Sequence, residues 1–269
     1  NYFLTIITMK TNTSLKPDRP CMKLFLLPIT VGLFLSGCQN GNMNSSPSAS
    51  ENQQSARKTV ELSNNWKFQL DVRDVGEKEQ WFDKDHSDWS DVTVPLAWNC
   101  YEEALFQYEG IGWYTTSINP DESIAGKKTE IVFGRVMYYS KVWLNGEFIG
   151  ENIGGYLPFS LDVTKHLKPG QENKLVVRVD NRPRINWLPA AEQIEWIQYG
   201  GIIGPVELVS TSLTYIDDLI IRTTPDKDGA GINCIINIAN ETALESVMDL
   251  DIGISLNSDI TNKSVKVRC

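Results

Sequence analysis

The residues able to do chemistry gather in one irregular stretch of this 269-residue chain. Trp187, Trp196 and Tyr199 flank Glu192, Gln193, Glu195 and Gln198, where strand features are few. Aromatic rings beside amides and carboxylates suit a ligand that has both an apolar face and a polar rim. Each residue also has an ordinary reading, the carboxylates and amides as solvated loop residues and Trp187 and Trp196 as caps on a core. Asp85-His86 and Asp217-Asp218 read as solvated turns. With five cysteines and two histidines in all, Cys100, Cys234 and Cys269 fall at irregular spacing without a Cys-x-x-Cys pair. The pattern predicts no metal site and no haem. No nucleophile arrangement or phosphate loop occurs either, so neither a catalytic residue nor a cofactor is expected. A net charge of −9, without clustered Lys and Arg in the main part of the chain, excludes nucleic acid as a partner.

The elements that must position these groups are strands. Short runs rich in Val, Ile, Tyr, Phe and Trp occur at Trp66–Leu70, Val92–Val94, Trp113–Ile118, Glu130–Phe133, Tyr138–Leu144, Glu147–Gly150, Phe159–Val163, Lys174–Val179 and Val206–Val209. Gly, Pro, Asn and Asp separate them, which predicts a sandwich or jelly roll across residues 59–211. Asn145-Gly146 between two strands is the signature of a type I′ hairpin turn. Helical hints are confined to single turns near Asp83–Ser87 and Val163–Leu167. Strand tryptophans such as Trp98, Trp113 and Trp143 could offer platforms for a ligand, but in a sandwich core packing is the commoner use. The pattern restarts after Ser212, at Leu219–Ile221, Ile232–Ala239 and Val247–Leu256, with a fourth run opening at Val265. Cys234 alternates in phase with Ile232, Ile236 and Ile238 and reads as a small buried hydrophobe. An immunoglobulin-like sandwich takes about 100 residues, so residues 212–269 predict a truncated one. Its face of Met248, Leu250, Ile252 and Ile254 should then meet water.

The N-terminal region has its own logic. Met22-Lys23 opens a basic start and Leu24–Leu35 forms an apolar run too short to span a bilayer. The run ends in Leu35-Ser36-Gly37-Cys38, which resembles a bacterial lipobox and implies lipidation of Cys38 after cleavage before it. The alternative is a secretory signal whose cleavage site happens to contain Cys. Residues 1–37 are thus expected to be a signal region starting at Met22, and residues 38–58, Ser-, Asn- and Gln-rich, a flexible tether. The location this implies is the bacterial cell envelope, outer membrane or periplasmic face, with a lipid anchor.

Several motifs run in a characteristic order: Trp66-Lys-Phe68, Val94-Pro95 with Trp98-Asn99, Gly112-Trp113-Tyr114, Tyr138–Val163, Asn173–Val179, Tyr199-Gly-Gly-Ile202 and Val206-Glu-Leu208. In this order they resemble the N-terminal sugar-binding domain of glycoside hydrolase family 2, the β-galactosidase and β-glucuronidase family. The resemblance implies a galactose-binding-like jelly roll, a carbohydrate substrate, and hydrolysis by two glutamates on a later barrel domain that this chain lacks. It also implies that Glu195 and Gln107 are substrate-contacting loop residues, with Trp196 beside Glu195. Gly201-Ile-Ile-Gly204-Pro205 lacks the Arg usual in the family after the Gly-Ile pair. The one Asn-Glu pair, Asn240-Glu241, lies between predicted strands of the second domain and does not fit a barrel strand end. Two other readings stay open, a free-standing carbohydrate-binding lipoprotein without catalysis and a structural adhesive sandwich with no sugar site.

Overall fold

The computed structural model describes residues 7–11, 28–32, 57–187, 197–226, 229–245, 247–256 and 259–268. Its elements are strands and single 3₁₀ turns, so the all-β expectation holds. The chain divides into two compact units, one of Asn1–Gln54 with Leu213–Cys269 and one of Ser55–Ser212.

In chain order the strands begin with β1 (Ile7–Thr11) and β2 (Pro28–Gly32). Next come β3 (Lys58–Glu61), β4 (Trp66–Leu70), β5 (Ser90–Val92), β6 (Ile111–Ile118) and β7 (Lys128–Phe133). They are followed by β8 (Val136–Met137), β9 (Tyr139–Leu144), β10 (Glu147–Ile153), β11 (Phe159–Asp162) and β12 (Asn173–Asp180). The remainder are β13 (Gly201–Ile202), β14 (Val206–Thr211), β15 (Thr214–Asp226), β16 (Gly229–Asn240), β17 (Val247–Leu256) and β18 (Asp259–Arg268).

The unit of Ser55–Ser212 is a sandwich of a six-stranded sheet, ordered β10-β9-β12-β6-β4-β5, and a four-stranded sheet, ordered β11-β7-β14-β3. Period-two alternation gives each strand an inward face. Trp66, Phe68, Tyr114, Val142, Leu144, Leu175, Val177 and Val179 from the larger sheet share one buried cluster with Ile131, Phe133, Val206 and Leu208 from the smaller. Each large side chain buried in this way contributes about 1.5–3 kcal/mol before entropy is counted. Between β9 and β10, Asn145 and Gly146 both have positive φ, 54° and 82°, as the type I′ turn requires. A register shift between Phe148 and Gly150 bulges β10, the outer strand of the larger sheet. The opposite edge, β5, has only three residues.

The other face of the six-stranded sheet is covered as well. The loop between β4 and β5 lays Trp81, Phe82 and Trp89 over Trp113, Trp143 and Val176, forming a second cluster. Phe82 stacks on Trp143 at 5.2 Å and Trp143 on Trp113 at 5.3 Å between ring centroids. Trp113 and Trp143 therefore lie in packing, as does Trp98, which is fully buried in the main core.

In the unit of Asn1–Gln54 and Leu213–Cys269, β15 pairs with β16 and β17 with β18, each antiparallel. β2 adds to the free edge of β16, and β1 to that of β17. Cys234, Ile236 and Ile238 alternate as buried residues on β16, as Leu250 and Ile252 do on β17. The expectation that the β17 face meets water is overturned at Leu250 and Ile252. An alternating buried set in each sheet is the pattern of two layers packed face to face, and β17 is the centre strand of its sheet, not an edge.

Candidate sugar-contacting site

Gln107 lies on the loop joining β5 to β6, which folds through two 3₁₀ turns, Trp98–Cys100 and Glu103–Leu105. The loop is held from within by the buried side chain of Asn99. Its amide nitrogen donates to the carbonyls of Leu105, Phe106 and Tyr108 at 3.0, 3.2 and 3.2 Å. Its oxygen accepts from the Gly200 N–H at 2.8 Å. A second buried amide, Asn181 just after β12, accepts from Gly110 N–H at 2.8 Å and donates to the Gln198 carbonyl at 2.9 Å. The backbone adds Trp98 N–H to Gly200 O at 3.0 Å and Leu96 N–H to Ile202 O at 3.1 Å. Buried amides satisfied this fully act as staples, because breaking one strands donors and acceptors away from water. Together they bind residues 96–110, 181 and 198–202 into one surface.

The fit is close at Gly200, where a Cβ would come within 2.2 Å of the Trp98 ring and 2.5 Å of Asn181 Nδ2. No other residue lets the backbone pass there. On this side of the sandwich a cavity of about 330 Å³ is lined by Tyr156, Ile197, Tyr199 and Ile203. Tyr156 and Tyr199 expose about half of their surface, 58% and 45%, so both can present ring and hydroxyl to a ligand.

Of the residues expected to touch substrate, Gln107 is exposed on the stapled loop. Glu195 and Trp196 fall outside the described residues, immediately before Ile197, and Cys38 falls outside them too. Trp187 stacks on Tyr138 at 4.5 Å, and the Arg184 guanidinium sits 4.3 Å from its ring. Its π surface is thereby engaged in packing. Glu241, the acidic member of Asn240-Glu241, follows β16 and accepts from the Tyr215 hydroxyl at 3.0 Å. Asn99 and Asn181 went unassigned in the sequence, since each pairs with residues far along the chain.

Beside the site, Asp180 is fully buried and accepts from Arg182 at 2.7 Å and Arg184 at 3.1 Å. Burial works against its ionisation, but the hydrogen bonds and charge of Arg182, with Arg178 behind, outweigh it and hold the carboxyl below its ordinary range. Arg178, on the outer face of β12, also meets Asp74 at 2.9 Å and Glu77 at 3.3 Å. This network ties the β4–β5 loop to the central strand.

Residues 60–212 match the family described as glycosyl hydrolases family 2, sugar binding domain. A β-galactosidase of Thermoanaerobacter pseudethanolicus is 36% identical over 142 residues, covering 51% of this chain and 19% of that protein. A β-glucuronidase of Paenibacillus borealis is 28% identical over 189 residues, covering 62% of this chain and 31% of that protein. Among solved structures, a β-glucuronidase of an uncultured Clostridium superposes with a TM-score of 0.63 at 26% identity, over 80% of this chain and 39% of that one. The chain thus spans less than a third of the length of these two curated relatives.

Proposed function

We propose that this chain, which belongs to glycosyl hydrolase family 2, is the sugar-contacting, non-catalytic part of a retaining β-glycosidase. The observation that carries the reading is the coincidence of the matched sugar-binding domain, residues 60–212, with the compact unit of Ser55–Ser212. Retention needs two carboxyl groups about 5–5.5 Å apart across the glycosidic bond. In this proposal a separate barrel domain supplies that pair. The present chain holds the Gln107 loop against residues 198–202, and in this reading Gln107, Glu195 and Trp196 contact the sugar. An amide and a carboxylate at a sugar's rim bind hydroxyls in ground state and transition state alike, so their removal should raise KM more than it lowers kcat.

The experiment is a chimera in which this chain replaces the matching N-terminal part of the T. pseudethanolicus β-galactosidase. Chain alone should show no turnover of nitrophenyl β-D-galactoside, and the chimera should be active. Gln107→Ala and Glu195→Gln in the chimera should each raise KM about tenfold, the scale of one hydrogen bond to a charged or well-placed group. Turnover by the chain alone, or KM values unmoved in both variants, would reject the proposal.

The proposal extends to location, with lipid on Cys38 and the stretch between Cys38 and β3 as a tether to the cell envelope; the expected tether bound at residue 58 is cut back because Lys58 already pairs with Ser210. Cleavage before Cys38 removes Ile7–Thr11 and Pro28–Gly32, the strands β1 and β2. The anchored chain and the chain with those strands paired are therefore alternative states.

A further inference from the structure

A second cavity, of about 470 Å³, opens on the outer side of the six-stranded sheet. It lies between the end of β4 and the β4–β5 loop and shares no lining residue with the cavity at Tyr156 and Tyr199. Its volume falls within the range of small-molecule sites, about 300–1,000 Å³. Its aromatic wall is Trp81, half-buried, with Trp89 behind it at 5.8 Å between ring centroids. The Trp81 indole is fixed in place, since its Nε1 donates to Glu79 at 3.0 Å and its ring lies 5.9 Å from Trp113.

The polar lining divides into spent and available groups. Asp71 is spent: it accepts from Val75 N–H, Gly76 N–H and Trp113 Nε1 at 2.9, 2.8 and 3.1 Å, and so anchors the floor. Gln69, Arg73, Lys84, Asp85 and Asp88 are all exposed on the rim, and Gln69, whose Nε2 donates to the Leu70 carbonyl at 3.1 Å, keeps its amide oxygen and a second N–H. Asp85 is held by Ser87, through N–H at 3.2 Å and Oγ at 2.9 Å, which leaves a carboxylate oxygen lone pair free for a further donor. With Asp71 in the floor, three carboxylates stand against two cations, Arg73 and Lys84, so the lining carries one net negative charge. It can satisfy hydroxyls of either sense but gives a free anion no net attraction.

His86 adds an independent observation. It is 6% exposed, lines this cavity and stacks on Trp89 at 3.7 Å. Its Nε2 is buried with no hydrogen-bond partner among the described residues, and the ring has a hydrogen bond to the Trp81 backbone. Burial, and secondarily the charge of Lys174, pushes the imidazole below its ordinary pKa, so it is neutral at pH 7. A buried polar atom left unpaired is costly and calls for an explanation.

We propose that this cavity is a second saccharide site, taking a neutral sugar ring with its C–H face on Trp81 and its hydroxyls on Gln69, Lys84, Asp85 and Asp88. The inference rests on the cavity and stands apart from the role proposed for Gln107.

The test is a titration of the full chain with methyl β-D-galactopyranoside and cellobiose as neutral probes and D-glucuronate as the anionic one, followed by amide chemical shifts. A neutral probe should shift residues 84–88 saturably, with glucuronate weaker by about tenfold. Trp81→Ala should weaken the neutral probe by about tenfold and Asp88→Asn by about threefold, with the shifts intact in Gln107→Ala. Asp88 is exposed, so its variant keeps the test decisive if Trp81→Ala loosens the loop. The proposal fails if no probe gives saturable shifts at 84–88. It fails equally if glucuronate binds as well as the neutral sugars, or if Gln107→Ala abolishes the shifts.

Discussion

At the scale of single residues, the surface near Gln107 depends on polar groups placed where water cannot reach. Asp180 is the clearest case, because its carboxyl is fully buried among three arginines. Its folded pKa lies below the ordinary value of 3.8, as does that of Asp74, where Arg178 and Arg182 outweigh the opposing effect of burial. A depressed folded pKa means that the unfolded chain takes up protons first as pH falls. The stabilisation is therefore complete above about pH 4 and is lost as pH drops through the folded values. Asp180→Asn should cost about 3 kcal/mol at pH 7, the scale of breaking one side of a buried ion pair. By pH 3 the gap between variant and parent should narrow. Urea midpoints measured from pH 7 to pH 3 check this, and a gap constant across that range would remove Asp180 from the acid response.

At the scale of elements, the β4–β5 loop is held to the outer face of the sheet by aromatic stacking. Trp143 is its centre, stacked on Phe82 and Trp113 and edge-on to Phe148 at 5.7 Å. Trp143→Ala should destabilise the sandwich by about 3–5 kcal/mol and release the loop, seen as faster hydrogen exchange across residues 71–89. Exchange unchanged there would mean that the Arg178 network alone holds the loop. The strands themselves were legible wherever alternation ran four residues or more. Trp66–Leu70 and Val247–Leu256 coincide with the expected bounds, and β6, β7, β9 and β12 differ by one or two residues at an end. β3 carried no signal, because Lys58–Glu61 has no buried side chain and is a strand only through pairing with β14. The two-residue β8 and β13 are too short for any period. The staples stayed hidden for another reason. Asn99 and Gly200 are 101 residues apart, and nothing local to Trp98-Asn99 marks its amide as buried.

At the scale of the whole chain, the two units differ in what they owe to distant sequence. The sandwich of Ser55–Ser212 contains all the partners of its own sheets. The second unit draws β1 and β2 from far away, with Ile7 opposite Ile252 and Ile29 opposite Cys234. If the form in the envelope fraction begins at Cys38, its intact mass will show the lost leader and an added lipid. In that form amides of β16 and β17 should exchange faster than in the full chain, having lost an edge neighbour. Val142 and Val177, both fully buried in the sandwich, should be unaffected. Equal exchange of β16 and β17 in both forms would show that β1 and β2 contribute nothing to that unit. The margins of the six-stranded sheet carry a different consequence. One is three residues long, and the other is bulged and bears Glu147 and Glu151, facing His166 and Tyr139 at 2.7 and 2.6 Å. Neither margin is a straight, uncharged template on which a second copy could lay a strand. Copies of this sheet brought close together therefore meet without a margin of it on which to polymerise edge to edge.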